Sequence, residues 1–285
     1  MRLKRIARSA LASVSSLLRS TRGTRRVALC WHSVHPDLPY ASATPESFAA
    51  QLDWLGATCD VVPFSRLLAP RPAGARPAVA ITFDDGYADN HQHALPLLAQ
   101  RGMTATFFLT AGFIARDRAV LDHFQADRAG APVEPLTWSQ ARELRAAGME
   151  IGAHTWSHPN LAALPSAAAR DELSRSKTAI EEALGEPIAS MAYPYGKPGR
   201  HFTAETMSLA AEAGYQSAAA VLFRGARERD HRLAVPRFFV NGEDSAATLA
   251  AKVAGESSPL TKKRGTAKRW SRSRAPRKST AAADW

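Results

Sequence analysis

From residue 26 to residue 255 the chain alternates short apolar runs with stretches of helical period. The runs at 27–32, 78–83, 104–110, 150–154, 189–193, 216–222 and 233–240 are rich in β-branched, aromatic and small apolar residues and read as buried strands. Between them, helices are predicted over 44–56, 90–101, 139–147, 166–184, 203–213 and 246–254. Thr44-Pro45 supplies a cap and a first-turn proline, while Gly56, Gly102, Gly148, Gly185 and Gly214 stand at helix ends. Residues 112–136 follow neither period and are predicted to be a long polar loop. Strands that alternate with helices in this way form a parallel sheet covered by helices. Seven or so such units in one stretch predict a single α/β domain of the (β/α) barrel type, closed or incomplete.

Charge divides the 285 residues into three. Residues 1–26 hold eight Lys or Arg and no acid, and 261–280 hold nine and no acid. The rest of the chain carries 20 basic against 26 acidic residues, so the net charge of +11 describes two ends, not the body. In the first segment Leu3, Ile6, Ala7, Ala10, Leu11, Val14, Leu17 and Leu18 share one helical face opposite Arg2, Lys4, Arg5 and Arg8. Three readings fit it: a helix packed on the body, a helix on an anionic membrane surface, or an export signal. Serines at 9, 13, 15 and 16 weaken the last, so a cytoplasmic or peripheral inner-membrane location is favoured. The tail at 256–285 is polar and basic and is predicted to be disordered. The expected organisation is 1–26 basic amphipathic segment, 27–255 catalytic domain, 256–285 tail. With 45% hydrophobic and 22% charged residues, a wholly disordered chain is excluded. Two cysteines exclude a disulfide framework and a four-cysteine zinc site. No run of about 18 apolar residues marks a membrane span.

Four polar clusters stand where predicted strands end: His32, Asp84-Asp85, His154 with His158, and Tyr193-Pro194-Tyr195-Gly196. In a (β/α) barrel these ends form one rim, where catalytic residues gather. Two adjacent carboxylates repel, and one would hold its proton unless a cation intervenes. A metal on one of them removes that difficulty and leaves the other as a base. Two imidazoles four residues apart can share the same ion. One carboxylate with two imidazoles suits Zn²⁺ best and also fits Co²⁺, Ni²⁺, Mn²⁺ or Fe²⁺.

Thr82-Phe83-Asp84-Asp85-Gly86, His154-Thr155-Trp156-Ser157-His158-Pro159 and Tyr193-Pro194-Tyr195-Gly196 resemble, in order, three motifs of the polysaccharide deacetylases, the NodB-homology family of carbohydrate esterases. The resemblance covers roughly 27–242. It implies a deformed (β/α)7 barrel and metal-dependent removal of N-acetyl groups from N-acetylhexosamine units of a glycan or glycolipid. It also implies Asp84 as general base, Asp85, His154 and His158 as metal ligands, and the Tyr195 N–H as an oxyanion donor.

Two departures stand out. Ala192 replaces the arginine usual in the third motif, and Leu233-Ala234-Val235-Pro236-Arg237 lacks the usual late histidine. Cys30-Trp31-His32-Ser33-Val34 is similar to a segment of the exopolysaccharide (poly-N-acetylglucosamine) deacetylase subgroup, which implies His32 as general acid. Arg237 is expected either beside Asp84, in place of the missing arginine, or on the substrate. Tyr193 and Trp156 are expected near the substrate or behind the site residues, and Trp138 either stacks on sugar or packs inside. Asp89 is expected to cap the following helix, and His91 and His93 to be solvated. Asp122, His123 and Phe124 are expected to shape the cleft from their loop. Alternative functions are hydrolysis of a non-sugar C–N amide and an inactive carbohydrate-binding homologue. Nucleic-acid binding through the basic ends ranks last.

Overall fold

The computed structural model describes residues 25–255. The basic segments before and after them, with the helix, membrane, export and disorder expectations made there, lie outside the described residues. Strand β1 (Arg26–Trp31) is paired in parallel on both sides. On one side it runs beside β3 (Ala78–Phe83), from Arg26↔Ala78 to Trp31↔Phe83. On the other it runs beside β8 (Val235–Phe239), with Ala28↔Arg237 and Cys30↔Phe239. Between them follow β4 (Thr106–Leu109), β5 (Glu150–Ala153), β6 (Ser190–Ala192) and β7 (Ser217–Val221), so seven parallel strands close on themselves. The short strand β2 (Asp60–Val61) pairs only with the first residues of β3 and stays outside the ring. The ring is uneven. β3 meets β4 only through Thr82 and Phe83, and β5 meets β6 only at Ala153↔Met191. This is the deformed (β/α)7 barrel expected from the motifs.

Strand side chains alternate between two cores. One buried cluster contains Ala28, Ala80, Phe108, Ala192, Ala219 and Val235, one from each of six strands, and is floored by Phe64, Leu67 and Leu68. This is the barrel interior. Seven strands leave little room, which is why alanine dominates. A Cβ on Gly152 of β5 would come within 2.7 Å of the Phe108 ring. The other cluster contains Leu29, Ile81, Phe107, Ile151, Met191, Ala218 and Phe238, which take the outward positions of the same strands and of β5, and lies under the helices.

The helices are α1 (Pro45–Thr58), α2 (Leu95–Ala99, entered through one wide turn at Asn90–Ala94), α3 (Ala111–Ile114), α4 (Arg118–Asp127), α5 (Trp138–Ala146), α6 (Ser166–Leu184), α7 (Ala204–Glu212) and α8 (Ala246–Val253). Thr44 caps α1, Thr137 and Thr203 form reciprocal caps with Gln140 and Thr206, and Gly185 ends α6 at φ 72°. The expected loop 112–136 is corrected: it holds α3 and α4. Asp117 caps α4 through the Ala119 and Val120 N–H groups, and Val120 and Phe124, four apart, bury against Tyr87 and Phe113. The Asp117 cap and the i, i+4 spacing of Val120 and Phe124 are the local sequence signal for α4. Among the described residues no helix is long and apolar enough to cross a membrane.

Candidate active site

Strand alternation determines which motif residues reach the barrel mouth. Ala28, Cys30 and His32 share one face of β1 and its extension. Ala80, Thr82 and Asp84 share the inner face of β3, Gly152 and His154 that of β5, and Val235, Arg237 and Phe239 that of β8. Asp85, next in line, would then point outward. Its backbone instead adopts φ 74°, and both neighbouring carboxylates face the mouth. Thr155, His158 and Tyr195 also have positive φ, at 66°, 60° and 60°. Four of the seven non-glycine residues with positive φ among the described residues therefore lie in the three motifs, a concentration of backbone strain typical of functional sites.

Asp84 is gripped by Arg237. Nη1 donates to Oδ1 at 2.7 Å and Nη2 to Oδ2 at 2.5 Å, with both side chains buried. Burial alone would raise the Asp84 pKa. The Arg237 charge, with His154, outweighs it and holds the carboxyl below the usual range. Of the two places expected for Arg237, the structure has the one beside Asp84.

Asp85 has a different cation. Arg128, just after α4, donates from Nη2 to Asp85 Oδ2 at 3.2 Å and from Nε to the Tyr87 hydroxyl at 2.8 Å. Its guanidinium lies over the rings of Tyr40 and Tyr87. Oδ1 of Asp85 is buried and receives no hydrogen bond from the described residues. It faces His154 Nε2 at 3.7 Å and His158 Nε2 at 3.6 Å. A tetrahedral ion with bonds of about 2.0–2.2 Å separates its ligands by about 3.4 Å. The spacing, the unsatisfied Oδ1 and the donor types therefore fit a divalent metal.

His154 Nδ1 lies 2.7 Å from the Ala192 carbonyl, a contact that needs a proton on Nδ1 and leaves Nε2 free to ligate. Burial pushes the His158 pKa down to about 3 despite nearby Asp85, so its ring is neutral, as ligation requires. The 154–158 turn is pinned from α6, where the Glu172 carboxylate accepts from the N–H groups of Trp156 and Ser157 and from the Ser157 hydroxyl.

His32 stands close to both carboxylates. One of its ring nitrogens, an Asp84 oxygen and Cys30 Sγ lie within 4.8 Å of one another. Burial lowers the His32 pKa against the opposing pull of Asp85 and Asp84. Burial also pushes the Cys30 thiol well up, so it stays protonated. Tyr195 projects beside His158, with ring centroids 4.8 Å apart, and its N–H meets no acceptor among the described residues.

The remaining expectations meet the structure as follows. Tyr193 follows the outward face of β6. It is wholly buried, stacks on Phe202 and donates to the Leu233 carbonyl, so it has no surface to offer a substrate. Trp156 donates to Asp117, and the Arg175 guanidinium sits 3.6 Å above its ring. Trp138 packs against the core. Asp89 is corrected: it makes no cap but accepts from Ser33 Oγ, Val34 N and Asn90 Nδ2, tying the chain after β1 to the chain after β3. His91 contacts Glu143, and His93 contacts the His35 ring. His123 and Phe124 lie against His158, whereas Asp122 pairs with Arg118. Arg128 and Glu172 were not anticipated. Arg128 lies in the stretch read as loop, and Glu172 reads as an ordinary solvent-facing helix residue.

The polysaccharide deacetylase family profile matches residues 72–218, just over half of the chain. YxkH of Bacillus subtilis (strain 168), named as a polysaccharide deacetylase, is 27% identical over 206 residues, which is 71% of this chain and 66% of YxkH. A chitin deacetylase of Pestalotiopsis sp is 32% identical over 119 residues, or 41% of this chain and 33% of that protein. The chain thus spans less than two thirds of either relative. Among solved structures, IcaB from Ammonifex degensii aligns over 81% of this chain and 98% of its own, with a TM-score of 0.66 and 28% identity. The Streptococcus pyogenes deacetylase PplD, solved with acetate, shares the fold with a TM-score of 0.68 at 21% identity, over 81% of this chain and 99% of its own. With its three motifs gathered at one barrel mouth and its sequence matched across them, the chain belongs to the polysaccharide deacetylase family.

Proposed function

We propose that this protein is a metal-dependent hydrolase that removes N-acetyl groups from N-acetylhexosamine units of a glycan or glycolipid. The observation that carries this reading is the convergence of Asp85 Oδ1 with the Nε2 atoms of His154 and His158, beside an Asp84 locked by Arg237. Asp85, His154 and His158 would hold the ion, with Zn²⁺ favoured by the two nitrogen donors. When bound there, a divalent ion would supply water activation near neutral pH and polarisation of the acetyl carbonyl.

The chain's own groups do the rest. Asp84 is ionised, oriented by two hydrogen bonds and free of the metal, so it takes the proton of the attacking water. The Tyr195 N–H donates to the oxygen of the tetrahedral intermediate. His32, within 4.8 Å of Asp84, donates a proton to the leaving amine. The barrel-mouth groups Arg128 and Glu172 hold Asp85 and the histidine turn in place.

The reading is tested by acetate release from N-acetylglucosamine oligomers and peptidoglycan fragments with Zn²⁺ or Co²⁺ added, beside an Asp85→Ala control. Release that disappears in the control is the expected result. Release that persists without metal, or none from any glycan, would overturn it.

A further inference from the structure

Both ends of the described chain meet at one point of the barrel floor, at the opposite end of the strands from the site. Arg26 opens β1, and its carbonyl accepts from the Ala226 N–H at 2.7 Å. A Cβ on Gly225 would lie 3.2 Å from the Gly255 Cα and 3.5 Å from the Arg26 carbonyl oxygen. The segments 1–24 and 256–285 therefore join the fold beside one another. By sequence the first carries six Lys or Arg and no acid, and the second carries nine against two acids.

The floor around this point is itself basic. Segments 25–26, 60–76 and 224–232 bring nine arginines and three acids there. Arg26 ties them together, donating to the Ala69 carbonyl at 3.1 Å and pairing with Glu228 at 3.6 Å. All three acids are engaged: Asp60 by Arg71 and Arg76, Glu228 by Arg26, and Asp230 by Arg224. Arg66, Arg229 and Arg232 are exposed and form no ion pair among the described residues. The other described residues hold 13 basic against 21 acidic side chains, so the molecule is polarised. Like charges gathered on one face repel unless a counter-charge meets them.

An anionic bilayer supplies that counter-charge over a broad area and attracts each arginine near its surface. In 1–24 the apolar positions Leu3, Ile6, Leu11 and Val14 recur at helical spacing opposite the basic ones. That pattern suits the headgroup boundary, whereas a nucleic acid would leave the apolar positions in water.

We propose that the arginine-rich floor, together with the two basic segments that join it, docks this protein on an anionic lipid bilayer. The strands run from floor to mouth, and β1 alone spans about 20 Å. The docked barrel opens away from the bilayer, with Asp84, Asp85 and the two motif histidines turned toward water. This docking does not depend on the deacetylase reading.

The test is sedimentation of the full chain with phosphatidylcholine vesicles, with and without phosphatidylglycerol. Binding is expected only with the anionic lipid and should fall as salt is raised. The combined variant Arg66→Gln, Arg229→Gln, Arg232→Gln should bind more weakly, by about fivefold for each charge removed. Arg66→Lys, Arg229→Lys, Arg232→Lys should bind like the parent, because a bilayer attracts the charge and does not need the guanidinium fork. Three exposed cations on the mouth side are the control: Arg118→Gln, Lys197→Gln, Arg200→Gln should leave binding unchanged. Unchanged binding in the floor variant, equal loss in the mouth-side variant or loss in the lysine variant would each overturn the proposal. So would binding to duplex DNA with none to the vesicles, which would assign the floor to a nucleic acid. Orientation is read with a fluorophore on Ser65→Cys, at an exposed floor position, or on Lys197→Cys. Spin-labelled lipid headgroups should quench the first and not the second, and the reverse would overturn the docking face.

Discussion

Arg237 and Asp84 are 153 residues apart in sequence and form a two-point buried ion pair at 2.7 and 2.5 Å. The pair links β8 to the end of β3 across the barrel mouth. It also separates the two neighbouring carboxylates electrostatically. Each has its own arginine, Arg237 for Asp84 and Arg128 for Asp85, so neither needs to hold a proton.

Removing one partner strands the other charge in the interior. Arg237→Gln is expected to cost about 3–5 kcal/mol of stability, measured by urea unfolding, and to lower acetate release by about 10²-fold or more. Arg237→Lys keeps the charge without the fork and should recover only part of each. A glutamine variant that unfolds and turns over like the parent would show that the pair is dispensable.

Arg128 holds one oxygen of Asp85 and leaves the other open for the proposed metal. Arg128→Gln should weaken Zn²⁺ affinity by about 10–100-fold. Competition with a chromophoric chelator measures this without reference to turnover, and an unchanged affinity would count against the assignment.

Metal binding should itself stabilise the fold. Zn²⁺ at about 100 times its Kd is expected to add about 2.7 kcal/mol, seen as a rise in Tm. Chelation should reverse the rise. His154→Ala and His158→Ala should show no response to Zn²⁺. A rise that persists in both variants would place the ion elsewhere.

His32 is assigned to the proton of the leaving amine. His32→Ala should lower kcat by about 10²–10⁴-fold while leaving Zn²⁺ affinity near that of the parent. Loss of metal together with rate would instead make His32 part of the ligand set.

Asp89 supplies a pH dependence away from the proposed metal ligands. Burial pushes its pKa up to about 6, against the hydrogen bonds from Ser33 and Val34. A carboxyl raised in the folded state favours folding most when protonated. Its contribution is therefore complete below about pH 4 and is lost as pH rises through about 6, a change on the order of 3 kcal/mol. Asp89→Asn removes this titration, so the stability difference between parent and variant should move in the variant's favour from pH 4 to pH 7. A difference that stays flat across that range would contradict the assignment.

Much of the site is readable locally. Asp84-Asp85, His154 with His158, and the Tyr193–Gly196 turn announce themselves by residue type and by position after apolar runs. The alternation of strand and helix announces the barrel. What stays open in the sequence depends on distance. Arg237 has two expected places, and only closure of β8 onto β1 puts it at Asp84. Arg128 lies just after α4, and only the packing of Val120 and Phe124 against Tyr87 brings it to Asp85. Tyr193 sits in a motif, yet strand alternation turns it away from the mouth and onto Phe202.

The order of elements, the parallel barrel and the chemical character of the site follow from the sequence itself, because hydrophobic period and residue chemistry are local properties. Tertiary structure alone decided which cation serves which carboxylate, which oxygen of Asp85 remains open, and which aromatic rings line the mouth. Those outcomes depend on ring closure and on the inward or outward sense of each strand position. The positive φ at Asp85 changes that sense at the one step where two adjacent carboxylates must face the same way.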